Sequence, residues 1–451
     1  MARCFVFLVS CMYILHAAFS AEDNKTRPSV VYKWTKIDYN WPNKTMRKEY
    51  IIAYDYYAIT NVISGIAVYK NDTYVTVTRI SQGVPSAVNK IIEKDGEYVL
   101  EPYPSWEMNK VGNCDGFQAV QNIIVDPNKG WMWIIDHGRI NTLWGGLKVL
   151  CPPKLIVYDM ENETVVRKHV FPDNVATHND SFFADIVIDP ESGWAFITNN
   201  LENRLVFYSF DDDVSYSFSH KSFLPEIRNH TITVQGSTIR LAKVSAGVDG
   251  IAMSPQRDYI LYSPLGGYGL YQLETKFFTR ILRNASLTLN DKAYASILDR
   301  HISRVGNRIA HSRGLLLGQK NLFYGGISLD ALYSWEVASL LSLSPGPIPG
   351  HVPQIKMGED AEQMRWVDSL TIDTEQNLWF TSSKFVRYLS DSIIFNAPTM
   401  FIWKVYVGED SYLKPYNGSQ TSDISYAVRN THSCLFLLTI SVLAFVVYVV
   451  K

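Results

Sequence analysis

The chain has little of what marks the common enzyme and nucleic-acid-binding classes. Its sequence contains no Gly-x-Ser-x-Gly elbow, no His-Glu-x-x-His, no phosphate-binding loop and no cluster of cysteine with histidine. Charged residues make up 19% of the chain and the formal net charge is −2, so no basic excess attracts nucleic acid. We therefore expect no cofactor and no resident metal, and the sequence favours a binding protein over an enzyme.

Cysteine is scarce as well. Cys4 and Cys11 lie in an apolar N-terminal run and Cys434 in an apolar C-terminal run, which leaves Cys114 and Cys151 between them. Two cysteines in an oxidising compartment most often form one disulfide. This one would close a loop of about 37 residues and stabilise the fold by ~3–4 kcal/mol. The alternative is a pair of free thiols.

The N-terminus carries a targeting signal. Arg3 is followed by an apolar run from Cys4 to Leu15 and by small residues before Ala21, which is the pattern of a signal peptide at residues 1–20, cleaved after Ser20. A signal anchor is the alternative, but the apolar run is short for a membrane span.

The C-terminus carries a second signal. Residues 434–451 are almost wholly apolar up to Lys451, and a polar spacer at 417–433 precedes them. We expect this tail to attach the protein to a membrane. The order of small residues, spacer and apolar tail fits a lipid-anchor signal, whereas the terminal lysine favours a transmembrane helix. Both modes stay open, and a buried strand is less compatible with the length.

Eight Asn-x-Ser/Thr sequons accompany these signals, and each is a glycosylation site only where it is exposed. They are Asn24, Asn43, Asn71, Asn162, Asn179, Asn229, Asn284 and Asn417. We therefore expect a glycoprotein that is extracellular or held at the cell surface.

A short apolar segment that turns at Asp-Pro or a similar pair, then resumes with an aromatic residue, recurs along the chain. The clearest copies are Ile123 to Trp131 and Ile186 to Trp194. The six turn residues are at positions 69, 126, 189, 254, 318 and 373, so the intervals are 57, 63, 65, 64 and 55 residues. The turn chemistry indicates a β-hairpin in each copy, and a repeat of this length governs the whole fold.

Two hairpins in each interval make one four-stranded blade. We therefore predict an all-β fold, a six-bladed β-propeller over residues 21–416. Blades usually take ~40–45 residues, so these contain long insertions between strands. Polar stretches at 211–235 and 283–307 are the candidates, and a helix is favoured within 291–305, which lacks glycine and proline. A β-solenoid would have a much shorter period, and an open sandwich would not give six copies in phase.

Several segments resemble the yellow and major royal jelly protein family of insects. They include NCDGF at 113–117, CPPKLIVYD at 151–159, FADIVID at 183–189 and YSPL at 262–265, and such segments cover most of residues 30–410. The resemblance implies an extracellular six-bladed propeller. It also implies functions that differ among members, namely cuticle pigmentation, dopachrome conversion, binding of biogenic amines and nutrition. The apolar tail is not a general feature of the family.

Acidic residues stand just before three of the repeated inner strands. They are Asp185, Asp249 and Asp368. Propellers bind ligands at the mouth of the central channel, so we expect an acidic ring there that holds a protonated amine or, alternatively, a metal ion. The competing interpretation is that each carboxylate binds the backbone of its own loop.

The resemblance adds Ser383 and Phe385. In amine-binding members, the segment similar to 378–385 forms the pocket with a polar side chain and, two positions later, an aromatic ring that stacks on the ligand. Those members tend to have asparagine where Ser383 stands, and Phe385 is alternatively a core residue. His137 is interpreted as a hydrogen-bonded surface residue rather than a general base.

The sequence thus predicts a secreted or surface-held propeller that binds a small aromatic amine, or a related catechol-derived ligand, at its channel mouth. It predicts no nucleic-acid partner. The alternatives are a dopachrome-converting activity in melanin or cuticle pigmentation and a non-catalytic structural glycoprotein.

Overall fold

The computed structural model describes residues 27–143, 145–226, 231–234, 237–240, 246–276, 279, 282, 291–341, 352–389 and 396–414. In this part of the chain, six antiparallel sheets of four strands each form a β-propeller, which confirms the predicted all-β fold with six blades. The predicted signal peptide, spacer and apolar tail lie outside the described residues, as do four sequons: Asn24, Asn229, Asn284 and Asn417. Within the described ranges, no helix has the length and apolar character needed to cross a membrane.

The first three blades follow one another along the chain, and in each blade the strands run in order from the channel outward. Blade 1 consists of β2 (Ile63–Tyr69), β3 (Asp72–Val77), β4 (Val88–Lys94) and β5 (Glu97–Pro102). Blade 2 consists of β6 (Val120–Asp126), β7 (Trp131–Asp136), β10 (Lys154–Asp159) and β11 (Thr164–Val170). Blade 3 consists of β12 (Phe183–Asp189), β13 (Trp194–Asn199), β14 (Arg204–Ser209) and β15 (Val214–Ser219).

The other three blades complete the ring. Blade 4 consists of β18 (Val248–Met253), β19 (Tyr259–Pro264), β20 (Gly269–Glu274) and β21 (Ile302–Asn307). Blade 5 consists of β22 (Leu315–Leu317), β23 (Asn321–Gly326), β24 (Ala331–Glu336) and β25 (Gln354–Glu359). Blade 6 consists of β26 (Val367–Ile372), β27 (Asn377–Ser383), β28 (Met400–Tyr406) and β1 (Ser29–Trp34).

Smaller elements lie between the blade strands. Two additional hairpins are β8 (Arg139–Ile140) with β9 (Lys148–Val149), and β16 (Thr231–Val234) with β17 (Ser237–Arg240). The described helices are α1 (Lys44–Ile52), α2 (Asp291–His301), α3 (Ala338–Leu341) and α4 (Phe385–Leu389), with 3₁₀ turns at Ala58–Thr60 and Lys221–Phe223. Helix α2 confirms the helix expected within 291–305, although the chain already enters a strand at Ile302.

In each blade the outermost strand is the least buried of the four. The inner strand β12 is buried at six of its seven residues, because the adjacent blades cover both of its faces. The outer strand β11 has one buried residue, His169, and otherwise carries polar and small apolar side chains at the surface. After the polar residues near its start, each inner strand continues as a short, mostly apolar run, which is why the repeat is visible in the sequence.

The repeated Asp residues hold the hairpin turns. Asp126 Oδ1 accepts a hydrogen bond from the backbone N–H of Asn128 at 2.9 Å, and Asp373 Oδ1 accepts from those of Glu375 and Asn377 at 2.9 Å. These are the bonds that make Asp a turn residue. All six turn residues lie at the end of an inner strand or directly after it, so the repeat predicts the six inner hairpins correctly.

The ring is closed by the N-terminal strand. β1 pairs antiparallel with β28, so blade 6 combines three strands from the end of the propeller with one from its beginning. The contact spans almost the whole domain, and Ser29 Oγ lies 3.4 Å from the carbonyl oxygen of Lys404, 375 residues away.

The last described residues are fixed on the turn side of the propeller. The Tyr412 hydroxyl accepts a hydrogen bond from the N–H of Ile188 at 3.2 Å, on the edge of β12 that has no neighbouring strand. Asn128 Nδ2 donates to the carbonyl oxygen of Leu413 at 3.2 Å. Tyr412 is buried, so the segment that contains it belongs to the folded domain.

Two predictions about covalent chemistry bear on the described residues. Cys114 and Cys151 form a disulfide with their Cα atoms 5.4 Å apart, which confirms the bonded alternative over free thiols. The four described sequons are exposed: Asn43, Asn71, Asn162 and Asn179. Their exposure meets the steric requirement for glycosylation, which itself stays a prediction.

Candidate functional site at the channel mouth

The inner strands start with an irregularity. In five of them, β2, β6, β12, β18 and β26, the register against the second strand shifts close to the first residue. Bulges of this kind re-aim side chains and are frequent beside binding sites. As a result, side chains at two consecutive positions in a blade contact those of neighbouring blades.

We call the first of these positions the first ring. It lies five residues before each turn residue and consists of Ser64, Gln121, Ala184, Asp249, Arg313 and Asp368. The Ser64 hydroxyl accepts from Gln121 Nε2 and donates to Asp368 Oδ2 at 3.0 Å. Arg313 Nε lies 3.4 Å from Asp368 Oδ1 and 3.2 Å from Asp249 Oδ1. Polar contacts therefore link five of the six blades at this level.

Arg313 adds a cation to the predicted acidic ring. Burial lowers its pKa, but the adjacent carboxylates of Asp249 and Asp368 outweigh burial and leave the pKa raised, so the guanidinium stays charged. Burial raises the pKa of Asp249 to about 6, although Arg313 acts in the opposite direction. The ring is thus a mixed cluster in which one internal cation is shared by two acids.

Asp185 does not belong to the first ring. It occupies the next position, the second ring, with Gly65, Asn122, Gly250, Gly314 and Ser369 in the other blades. Its Oδ1 accepts from Asn122 Nδ2 at 2.7 Å and from its neighbour's N–H, and its Oδ2 accepts from the N–H of Ile251 at 3.2 Å. Burial raises the pKa of Asp185 to about 7 against these hydrogen bonds. The bonds join blades 2, 3 and 4, and only the one from its neighbour Ile186 goes to backbone of the same segment, as the alternative predicts.

The second ring also shows how closely the inner strands approach. A side chain at Gly250 would collide with the carbonyl oxygen of Arg313, and one at Gly314 with that of Asp368. Only glycine permits this backbone spacing. The positions of Arg313 and Asp368 are consequently set by the backbone of the adjacent blade.

A cavity of about 180 Å³ lies at the mouth. Its lining residues are Val62, Ile63, Ser64, Thr78, Ile80, Gln121, Arg139, Thr142, Leu143, Phe182, Leu201, Arg313, Asp368 and Phe385. Two predicted site residues, Asp368 and Phe385, are thus brought together. Phe385 also packs against Trp366 with ring centroids 5.0 Å apart, so it is both a core residue and part of the cavity wall.

The other predicted site residues do not line this cavity. Asp185 and Asp249 are absent from its wall, and so is Ser383, the last residue of β27, whose N–H donates to the carbonyl oxygen of Arg365 at 2.9 Å. Two wall residues that the sequence interpretation missed, Arg139 and Phe182, come from segments outside the repeat. Arg313, in contrast, is detectable from the repeat alone, since it lies five residues before the turn at 318.

His137 is not the hydrogen-bonded surface residue that its place beside a turn suggests. Its side chain is 1% exposed, it contacts Phe182 with centroids 4.8 Å apart, and neither ring nitrogen has a hydrogen-bond partner among the described residues. Burial lowers the pKa of His137 to about 3, so the ring is neutral. A buried, neutral imidazole of this kind is a packing residue.

The described residues contain no group of three or more His, Cys, Asp or Glu side chains that could hold a metal ion. The polar groups at the mouth are amides, hydroxyls, the Arg139 guanidinium and the Asp249–Arg313–Asp368 cluster.

Sequence comparisons agree with the fold. The family described as "Major royal jelly protein" matches residues 118–411. Major royal jelly protein 6 of Apis mellifera is 25% identical over 330 residues, 71% of each chain. Major royal jelly protein 9 of the same species is 24% identical over 404 residues, which cover 86% of this chain and 90% of the relative. Protein yellow of Drosophila erecta is 25% identical over 387 residues, which cover 82% of this chain and 67% of the relative.

The family match spans more than half of the chain and includes five of the six first-ring positions, all but Ser64. Together with the six blades and the segments that carry the resemblance, it establishes that the chain belongs to the major royal jelly protein family.

Proposed function

We propose that the protein binds a small aromatic amine in the cavity at the channel mouth. The observation that carries this proposal is that a carboxylate, Asp368, and an aromatic ring, Phe385, line the same cavity. The carboxylate attracts an ammonium group, and the ring provides a face for a ligand ring or a cation.

The size of the cavity agrees with a ligand of this class. An engineered cavity of ~150 Å³ holds benzene, so about 180 Å³ accommodates one aromatic ring with a short substituent. Half of the lining residues are apolar, among them Ile80, Leu143 and Leu201, and the other half carry polar or charged groups. Small-molecule sites combine apolar walls, which hold the ligand, with polar groups that orient it.

Calorimetry on the ectodomain with serotonin, dopamine and related amines tests the proposal. We expect binding to wild type and a loss of ~10-fold or more in Asp368→Asn, which removes the charge and keeps the shape. Ser383→Ala is the matched control, because Ser383 does not line the cavity, and we expect unchanged affinity. No heat at high micromolar ligand, or full affinity in Asp368→Asn, would contradict the proposal.

A dopachrome-converting activity is the second function that the family suggests. Such a conversion requires proton transfer to or from the substrate, which a carboxyl group can catalyse. Asp368 provides a carboxyl group in the cavity wall. Turnover that Asp368→Asn abolishes in a folded protein would support it. If the folded protein neither binds these ligands nor turns over a substrate, the interpretation as a non-catalytic structural glycoprotein is favoured.

We also propose that the propeller is displayed outside the cell and held at a membrane. The disulfide and the four exposed sequons support passage through the secretory pathway. The apolar segment 434–451 supports attachment. Release from intact cells by phosphatidylinositol-specific phospholipase C would identify a lipid anchor, whereas retention after treatment, with release only by detergent, would identify a transmembrane helix. Recovery of the full chain in the medium without either treatment would contradict attachment.

A further inference from the structure

Arg139 brings a positive charge to the cavity wall that the proposed amine does not use. Arg139 lies on β8, the residue is 6% exposed, and it lines the cavity together with Asp368 and Phe385. Its Nη1 donates to the carbonyl oxygen of Ser181 at 3.1 Å, while its Nε has no hydrogen-bond partner among the described residues.

The nearest acids do not form an ion pair with Arg139 within the described residues. Asp180 and Glu202 act on it by attraction at longer range. Glu202 Oε2 is already engaged, because it accepts from Ser181 Oγ at 2.7 Å and from Asn199 Nδ2 at 2.5 Å. Burial lowers the pKa of Arg139, as it does for a cation without a close counter-charge.

Other buried arginines of the propeller differ from Arg139. Arg79 directs its guanidinium to carbonyl oxygens that include those of Val84, Phe117 and Pro85, and Arg313 pairs with two carboxylates. Arg308 has two nitrogens without described partners, but it does not line the cavity. Arg139 thus combines an incompletely bonded guanidinium with direct access to a ligand space.

A buried guanidinium is costly unless an anion or hydrogen-bond acceptors compensate it. A ligand carboxylate compensates it best, because the planar guanidinium matches the two carboxylate oxygens. Asp368 in the same wall is a carboxylate that Arg313 already contacts at 3.4 Å, and it attracts a ligand cation as well. The cavity of about 180 Å³ therefore presents one incompletely bonded cation, one carboxylate that is shared with Arg313, and the two aromatic rings of Phe182 and Phe385.

We propose that the ligand is an aromatic zwitterion of the amino-acid type, whose carboxylate is bound by Arg139 and whose ammonium group lies towards Asp368. This inference rests on the proposed function for the ammonium half, and it adds the carboxylate half. An amine that lacks the carboxylate should therefore bind less tightly than the corresponding zwitterion.

Four ligands with the same aromatic ring distinguish the contribution of the carboxylate from that of the ammonium group. They are tyrosine, tyramine, 3-(4-hydroxyphenyl)propionate and 4-ethylphenol, measured by calorimetry at one pH and ionic strength. We expect tyrosine to bind wild type ~10-fold or more tightly than tyramine. Arg139→Gln should remove that difference and leave tyramine unchanged, and Arg139→Lys should retain part of it, because lysine keeps the charge without the planar fork.

Lys148→Gln is the matched control. Lys148 is an exposed cation on β9, the strand that pairs with β8, and it does not line the cavity, so its removal should change no affinity. If Arg139→Gln does not fold, the order of the four ligands on wild type still tests the inference.

Two failures are distinguishable. Tyramine that binds as tightly as tyrosine, with no effect of Arg139→Gln, overturns the inference and leaves the proposed amine site standing. Binding of tyrosine and the propionate but not of tyramine, unchanged in Asp368→Asn, supports the role of Arg139 and overturns the proposed function. Absence of binding by all four ligands overturns both.

Discussion

Arg313 lies between Asp249 and Asp368, with its Nε 3.2 Å from Oδ1 of the first and 3.4 Å from Oδ1 of the second. The three residues come from blades 5, 4 and 6, and all three have largely buried side chains. The pair of contacts therefore joins three blades at the channel mouth through one guanidinium.

Arg313→Met should destabilise the propeller by about 3–5 kcal/mol, because it leaves two buried carboxylates without their counter-charge. Urea unfolding at neutral pH measures the loss. Adding Asp249→Asn and Asp368→Asn to Arg313→Met should recover much of it, since the uncompensated charges are then gone. A stability equal to wild type for Arg313→Met would show that the ion pairs contribute nothing.

His137→Phe should alter how stability depends on pH. The pKa of His137 is lowered to about 3 in the folded state, below its ordinary value of 6.5, so only the unfolded chain takes up a proton between these values. Its contribution is therefore fully present above pH 6.5 and is lost as the pH falls. Relative to the variant, wild type should lose about 2–3 kcal/mol between pH 6.5 and 4.5.

Denaturant unfolding of both proteins at pH 7.5, 6 and 4.5 checks this difference. At pH 7.5 the variant should be at least as stable as wild type, because it replaces two buried nitrogens that lack described partners by an apolar ring beside Phe182. If the difference in unfolding free energy between the two proteins is the same at all three pH values, His137 is not the source of the pH dependence.

Loss of the disulfide should lower the free energy of unfolding by ~3–4 kcal/mol, as expected for a cross-link between residues 37 apart. The variant is Cys114→Ser with Cys151→Ser, and thermal or urea unfolding gives the magnitude. A thiol reductant should lower the midpoint of wild type and leave the double variant unchanged. If the reductant lowered the unfolding midpoint of both proteins equally, its effect would not arise from this disulfide.

A chain that ends at residue 410 should be less stable than one that ends at residue 414. The longer chain keeps Tyr412 and Leu413, whereas the shorter loses a fully buried aromatic side chain, which costs about 3 kcal/mol or more. Tyr412→Phe in the longer chain isolates the hydrogen bond to Ile188 and should cost about 1–2 kcal/mol. Equal unfolding midpoints for the two chain lengths would show that this segment is not part of the cooperative unit.

The fold was predictable because its signal is periodic and apolar. The same spacing also locates the first ring, since five residues before each turn lies a side chain at the mouth. If only acidic residues are considered, Asp249 and Asp368 are found at that position, Asp185 is included although it lies one residue later, and Arg313 is missed. The distance from the turn residue, rather than the residue type, therefore identifies the first ring.

The remainder of the site depends on contacts that no periodicity encodes. Arg139 reaches the cavity from the hairpin inserted between β7 and β10 of blade 2, and Phe182 from the segment between blades 2 and 3. Nothing in their local sequence distinguishes them from other loop residues. His137 follows a strand and precedes a glycine, as surface residues often do, but packing against Phe182 buries it. The partner of β1 is likewise set by ring closure, which joins segments far apart in the sequence.

The pairing of β1 with β28 has a consequence for biosynthesis. At ~5–20 residues per second, a ribosome needs roughly 20–75 s to make the 375 residues that separate Ser29 from Lys404. Throughout that time the nascent N-terminal strand has no partner, and the completed blades form an open arc with unpaired backbone at its end. Such edges attract other chains, so chaperone contact during synthesis should be greatest before blade 6 emerges.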